Sequence, residues 1–223
     1  MFFRKNRISK PHNWLIYHYS ILAVERNAQY ISGTVLDVGC GIKPYKEIIE
    51  RRSAAYIGLD YQKSPHGLEE VDVIGSAMEL PFSSSTFDSI VSFQVMEHLR
   101  EPKDFLKEAF RVLKPGGKMI LTTPFLWPEH EVPHDYYRFT RYGIKYLCEE
   151  AGFEVISVKP EIGFWSSGFL RLNYRINTLV NPVLRPFLVP FFWASQVAGF
   201  FLDRVDKAYD IAASNYTSVL RRR

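Results

Sequence analysis

The sequence holds only two cysteines, Cys40 and Cys148, in 223 residues. Two thiols build no disulfide framework, so a cross-linked secreted scaffold is excluded and a reducing cytosol is the expected compartment. Long charge-free stretches are also lacking. The longest, Pro186 to Leu202, runs 17 residues. As a helix it would reach about 25 Å, short of a hydrocarbon core of about 30 Å. Pro190 and Gly199 weaken it further, so a single membrane span is disfavoured. A secretory signal is not expected, because His18 and Tyr19 interrupt the first apolar run and no small-x-small cleavage site follows. Charge of one sign is not in excess along the middle. The net charge is +4, with +4 in residues 1–26, +4 in residues 160–223 and −4 between them. The core therefore offers no basic face to nucleic acid, whereas the ends suit an anionic membrane surface.

What is present starts at Thr34 to Tyr45, TVLDVGCGIKPY. Thr34 to Val38 reads as a short buried strand. Gly39-Cys40-Gly41 forces a tight turn with no bulky Cβ in front of a ligand. Pro44 suits the first position of a helix, whose free N–H groups could hold an anionic group. Tyr56 to Asp60 is a second strand ending in an acid about twenty residues beyond the glycines, where a carboxylate can accept both ribose hydroxyls. NAD enzymes and methyltransferases share this arrangement, so the acid alone does not choose between them. Further strands are expected at Val71–Ile74, Phe87–Phe93, Lys118–Thr123 and Phe153–Val158. Helices are expected at Tyr45–Arg52, Glu101–Leu113 and from Thr140, as cap, to Glu150. Alternating strands and helices mean an open, mostly parallel α/β sheet. Ahead of it, Asn13 is placed to cap a helix from Trp14 to about Tyr30, with Trp14, Tyr17, Ile21, Val24 and Ala28 on one face. The basic, aromatic tip before it (Phe2, Phe3, Arg4, Lys5, Arg7) could touch a membrane.

The motifs VLDVGCG, IGLD, SAMELPFSSSTFDSIVSFQVMEHL and RVLKPGGKMILTTP, in this order, resemble those of class I S-adenosylmethionine-dependent methyltransferases acting on small molecules and lipids. PHDYYRFTRYGIKYLCEEAGFEV further resembles bacterial members linked to cell-surface glycan synthesis. The resemblance implies a Rossmann-like sheet of seven strands, mostly parallel with an antiparallel last strand. It implies S-adenosyl-L-methionine as cofactor. Asp37, Gly39 and Gly41 would frame the methionine portion, Asp60 the ribose, Ser76, Ala77 and Met78 the adenine, and Gln94 the floor. Two departures stand out. The usual third glycine is absent near Lys43-Pro44, and Ser76 replaces an Asp that commonly accepts from the adenine amino group.

The acceptor end is expected in the polar segment 128–138, past the fifth strand. His130 and His134 are the candidate bases, since imidazole ordinarily titrates near neutrality. Asp135 could orient one of them, and Tyr136, Tyr137 and Arg138 could bind a sugar or phosphate. Pro128 and Pro133 disfavour a helical His-x3-His metal pair, so no metal is expected. Glu97-His98 is a second candidate pair, and Cys40 reads as a small buried residue.

The last strand is expected at Tyr216–Leu220, which leaves 161–213 as a hydrophobic, aromatic helical insertion before it. Interfacial helices, a lid and a dimer contact all remain open for this segment. The division is thus 1–33, a basic, aromatic leader and covering helix; 34–160, the cofactor-binding core; 161–213, the insertion; and 214–223, the final strand with its basic end. The function expected is methyl transfer to a small-molecule, lipid-linked or glycan acceptor, with a hydroxyl favoured. The place expected is the cytoplasm or the inner membrane face. A non-catalytic membrane-associated relative and an NAD-linked oxidoreductase are the rivals. A nucleic-acid substrate is disfavoured, for no Asn-Pro-Pro-Tyr-type motif is present.

Overall fold

A computed structural model describes residues 10–208 and 210–223. The basic, aromatic tip at residues 2–7 lies outside them. Helix α1 (Trp14–Asn27) leads into β1 (Thr34–Val38), a short α2 (Lys46–Glu50), β2 (Ala55–Asp60), β3 (Val73–Ile74) and β4 (Phe87–Phe93). Then follow α3 (Pro102–Val112), β5 (Leu113–Pro124), α4 (Arg141–Glu150), β6 (Phe153–Pro160), α5 (Phe164–Leu179), α6 (Val189–Val205) and β7 (Asn215–Arg222).

The strands form one seven-stranded sheet in the order β3-β2-β1-β4-β5-β7-β6. All pairs are parallel except those of β7, which runs antiparallel to both β5 and β6. The alternation along each strand explains why both faces are covered. Leu36, Ile90, Met119 and Leu121 point to one face and pack with Phe105, Leu106 and Ala109 of α3 and Ile144 and Cys148 of α4. Their neighbours Val35, Val91 and Ile120 point to the other, against Ile31 and Ile49. Successive side chains on a strand alternate faces, so apolar runs of this kind fit only a sheet with a layer on each side. Thr140 caps α4 as expected, its hydroxyl accepting from the Gly143 N–H at 3.0 Å.

Three local expectations are corrected. Pro44 is not the first residue of a helix: α2 begins two residues later and is only five residues long. The N–H groups of the glycine turn are also engaged. Gly39 and Cys40 both donate to the Leu59 carbonyl, and Gly41 donates to Asp60. No anion cradle is therefore formed by that turn. Asn13 does not cap α1 with its side chain. Its oxygen accepts from the Lys10 N–H and its amide donates to the Tyr174 hydroxyl, tying α1 to α5. The face of α1 is borne out in part: Val24 and Ala28 are buried, but Leu15 and Ala23 are buried as well and Trp14, Tyr17 and Ile21 only half-buried.

The insertion leaves the sheet at the carboxyl edge. Pro160 at the end of β6 pairs with Tyr216, and Pro124 at the end of β5 pairs with Asn215. Helices α5 and α6 pack on each other through a buried polar seam in which Asn173 and Ser195 exchange hydrogen bonds. Gln196 reaches across to α1, accepting from the Leu15 N–H at 3.1 Å and donating to the Pro11 carbonyl. Trp14 stacks on Trp193 with ring centroids 4.8 Å apart. The outer faces carry Leu179, Val183, Phe187, Phe201 and Val205 in the open. The helical stretch Pro182–Val205, 24 residues, is long and apolar enough to cross a membrane by length and composition.

Candidate functional site

β1, β2 and β4 end at one edge, and β1 lies between the other two. That is where the strand order reverses and where open α/β sheets bind ligands. A cavity of about 700 Å³ opens there. It is lined by Gly39 after β1, Asp60 at the end of β2, Ser76, Ala77 and Met78 beyond β3, and Gln94 after β4. Its far side is lined by His98, Arg100, Glu131, His134 and Tyr136. The sequence elements expected to hold a nucleoside and those expected to hold an acceptor thus share one space.

Several backbone features keep this wall in place. Gly39 has φ +73, and a Cβ there would overlap the Val95 side chain. Only glycine meets both conditions at low cost. Gln94 (φ +56) and Glu131 (φ +53) also adopt the left-handed region, which side chains rarely do and which clusters at functional sites. Gln94 is held by Thr122, whose hydroxyl accepts from both its backbone N–H and its side-chain amide at 3.1 Å.

The carboxylates are arranged in two shells. Asp60 faces the cavity while Oδ2 accepts from the Gly41 N–H at 2.9 Å and Oδ1 accepts from the Tyr61 N–H at 2.7 Å. Each oxygen keeps further lone-pair capacity for hydroxyl donors. Asp37 and Gly41 sit behind the cavity wall rather than on it. Asp37 is buried; its Oδ2 accepts from the Tyr56 hydroxyl at 2.5 Å, and its Oδ1 has no partner. Burial pushes the Asp37 carboxyl up to about 7, against the opposing pull of the Tyr56 bond and of Lys43. A buried, unpartnered carboxylate oxygen beside the glycine turn fits a cationic group such as the cofactor's ammonium. Ser76 Oγ accepts from the Met78 N–H at 3.2 Å, which shapes the turn carrying Ala77 and Met78.

The 128–138 segment divides. His134 and Tyr136 line the cavity, with His134 Nδ1 at 3.1 Å from the Tyr136 hydroxyl, which also accepts from Arg100 Nε at 3.2 Å. His130, Asp135, Tyr137 and Arg138 do not line it. Arg138 forks onto Asp135 with two contacts of 2.6 Å and donates to the carbonyls of Trp127, Pro128 and Tyr137. Its guanidinium holds the loop together from within, which leaves little to offer a substrate phosphate. The same pair holds Asp135 down to about 2. The Tyr137 hydroxyl donates to the Arg100 carbonyl at 2.9 Å, and the Tyr136 and Tyr137 N–H groups donate to the Glu97 carbonyl.

That last pairing draws the loop onto Glu97-His98. Glu97 is fully buried, neither carboxylate oxygen has a hydrogen-bond partner, and burial pushes it up to about 8. His130 is lowered by burial and then by His98. His66, from the loop after β2, reaches Glu131 at 3.2 Å, and this hydrogen bond raises the imidazole and lowers the carboxyl. Sequence reading passed over Tyr61, His66 and Arg100. Only His66, a histidine in a loop after an acid-ended strand, carried any signal there.

Residues 36–121 match the methyltransferase domain family Methyltransf_11. The match runs from within β1 to within β5, the strands that frame the cavity. The domain's cofactor is S-adenosyl-L-methionine, and the pocket around Asp60, Ala77, Met78 and Asp37 has the chemistry to fit it. A probable S-adenosylmethionine-dependent methyltransferase of Mycolicibacterium smegmatis is 34% identical over 133 residues, covering 54% of this chain and 52% of the relative. A ubiquinone biosynthesis O-methyltransferase of Pseudomonas paraeruginosa is 24% identical over 159 residues, covering 64% and 66%. This chain therefore spans about half to two-thirds of the length of these curated relatives. Among solved structures, the [4+2]-cyclase SpnF superposes with a TM-score of 0.60 at 19% identity, covering 92% of this chain and 80% of its own. That likeness is one of fold and extends beyond the matched residues to both flanks. The sheet is the Rossmann-like, seven-stranded form, and the antiparallel last strand lies where the motifs placed it.

Proposed function

We propose that the protein transfers a methyl group from S-adenosyl-L-methionine to a hydroxyl of a small-molecule or lipid-linked acceptor, a glycan carrier included. The observation that carries the reading is the single cavity joining Asp60, Ala77 and Met78 to His98, His134 and Tyr136. When bound, the cofactor supplies an electrophilic methyl group on a sulfonium. Asp60 takes the ribose hydroxyls, Ala77 and Met78 flank the adenine, and Ser76 stands near its amino group. Gly39 lets the backbone approach the methionine portion while Gly41 holds Asp60 from behind, Asp37 offers Oδ1 to its ammonium, and Gln94 forms the floor. At the other end His134 takes the acceptor's proton, with His98 beside it, and Tyr136 and Arg100 hold a polar acceptor group. His130 and Asp135 act from behind the wall, and Tyr137 and Arg138 keep the loop in register.

The acceptor's greasy part would lie against the insertion. Trp127 of the polar loop meets Tyr174 of α5 edge-on at 5.3 Å, so the insertion borders the acceptor end. The exposed apolar faces of α5 and α6, flanked by Arg171, Arg185 and Arg204, fit a peripheral seat on the anionic inner face of a membrane. The inner face of α6 carries Ser195, Gln196 and Asp203, all buried against protein, which supports a helix lying on a surface rather than one crossing it. The experiment is transfer of labelled methyl from S-adenosyl-L-methionine to bacterial lipid extracts and to water-soluble extracts. Label in a lipid or soluble hydroxyl acceptor, lost with Asp60→Ala, supports the proposal. Cofactor binding with no label transferred to any fraction would overturn it in favour of a non-catalytic relative.

A further inference from the structure

Beside the acceptor end lies a cluster that the methyl-donor pocket does not use. Glu97 and His98 come from the turn after β4, and His130 and Glu131 from the loop after β5. Glu97 Oε1 stands 3.8 Å from His98 Nε2 and 3.9 Å from His130 Nε2. Glu131 Oε2 stands 3.9 Å from His98 Nε2. The ligating atoms of Glu97, His98 and His130 all lie within 4.8 Å of one another.

Three features separate this cluster from an accidental one. Glu97 is 0% exposed, and neither of its oxygens has a hydrogen-bond partner, yet it aims at both imidazoles. Burying an unpaired carboxylate is costly unless a positive charge completes the site. Both imidazoles are also oriented from behind. His98 Nδ1 is 2.9 Å from the His134 carbonyl, and His130 Nδ1 is 3.3 Å from the Pro128 carbonyl, with Asp135 Oδ2 at 3.5 Å. A carbonyl accepts only, so Nδ1 of His98 carries the hydrogen and Nε2 presents its lone pair to the cluster; at His130, where Arg138 Nη2 also lies 3.5 Å from Nδ1, the nearer Pro128 carbonyl and the Asp135 carboxylate favour the same tautomer. That is the tautomer and second shell of metal-binding histidines. Finally, His98 and Glu131 line the cavity where the acceptor would sit, so one coordination position can face substrate.

We propose that Glu97, His98 and His130 bind a divalent cation of the zinc type, with Glu131 as an outer partner. Zinc with three protein ligands and one open position suits this nitrogen and oxygen set. Donors about 2.0–2.1 Å from a tetrahedral ion lie about 3.4 Å apart, so separations of 3.8 to 4.8 Å close by about half an ångström to about 1.4 Å on binding. Two imidazoles and two carboxylates neutralise the ion. The binding site rests on these side chains alone; its role rests on the methyltransferase reading. There the cation holds the acceptor oxygen, whose proton passes to His134 as the new O–CH₃ bond forms. The S–CH₃ bond of the donor breaks with its electron pair left on sulfur.

The test is titration of chelator-stripped protein with Zn²⁺ against a chromophoric competitor. One equivalent is expected to bind with a Kd of about 1 µM or tighter. His98→Ala, His130→Ala and the near-isosteric Glu97→Gln are each expected to weaken binding by about a hundredfold or more. His18→Ala, on α1, is expected to bind as wild type. Should a variant fail to fold, the visible spectrum of the Co²⁺-loaded wild-type protein reads the same site; histidine and carboxylate ligation is expected. Absence of stoichiometric Zn²⁺ binding, or binding indifferent to the three substitutions, overturns the proposal. So does a Co²⁺ spectrum of the aqueous ion. S-adenosyl-L-methionine titrated into the stripped protein runs in parallel. Donor binding without zinc overturns the metal site alone, and zinc without donor binding overturns the methyltransferase reading alone.

Discussion

Asp37→Asn separates what the folded chain needs from what the cofactor needs. The carboxyl lies among Tyr56, Lys43, Cys40 and Asp60, with one oxygen on the Tyr56 hydroxyl and the other unpartnered. Burial raises it from 3.8 to about 7. A carboxyl raised in the folded state contributes its stability in full below its unfolded pKa and loses it as pH climbs through the folded value. Between those two values the folded protein holds the extra proton. A difference of about three pKa units corresponds to about 4 kcal/mol lost by about pH 8. Asparagine does not titrate and keeps an acceptor for Tyr56. Without cofactor, Asp37→Asn is therefore expected to match wild type near about pH 4 and to exceed it by about 2–4 kcal/mol near about pH 8. Urea unfolding across this range checks it. Cofactor binding runs the other way, because the ammonium needs the ionised carboxyl. Wild-type affinity is expected to fall about tenfold per pH unit below about 7, while the variant binds weakly with a flat profile. Parallel stability curves for the two proteins, or a variant with wild-type affinity, would refute the reasoning.

Other substitutions probe the remaining parts. Gly39→Ala meets both a positive φ and the Val95 side chain, and is expected to cost about 2–4 kcal/mol in urea unfolding and to abolish cofactor binding. Arg138→Ala strands Asp135, whose side chain is 1% exposed, and is expected to cost about 2–3 kcal/mol. Lysine at 138 is not expected to rescue it, since it lacks the planar fork. Phe187→Glu with Phe201→Glu alters side chains that are 79% and 62% exposed, so the melting temperature is expected to hold. Sedimentation with anionic vesicles is expected to drop by about tenfold or more. Unchanged sedimentation would move the apolar faces from a membrane to another use.

The sheet was legible because its strands carry their pattern locally. Val35-Leu36 and Met119-Ile120-Leu121 alternate between two apolar layers, which a fully covered sheet demands. The antiparallel last strand was legible only through the family resemblance, since nothing local to Tyr216–Leu220 sets its direction. Two misreadings near the glycine turn and at Asn13 share one cause. Local capping rules were overridden by tertiary partners: Leu59 and Asp60 claimed the turn's N–H groups, and Lys10 and Tyr174 claimed Asn13. The acceptor end was half legible. The polar loop advertised His134 and Tyr136, but Arg138 looked like a phosphate binder because its partner Asp135 and three carbonyls are brought to it only by the loop's fold. His130 meets Glu97 because the Tyr136 and Tyr137 N–H groups bond the Glu97 carbonyl, a link no spacing rule exposes.

The measurement that tests the central claim most directly is calorimetric titration of S-adenosyl-L-methionine into the purified protein and into Asp60→Ala. The account predicts one site with a Kd of about 1–100 µM, weakened by about a hundredfold or more in the variant as two ribose hydroxyl bonds to a carboxylate are lost. A folded wild-type protein that binds no cofactor, or a variant that binds it equally well, would contradict the account.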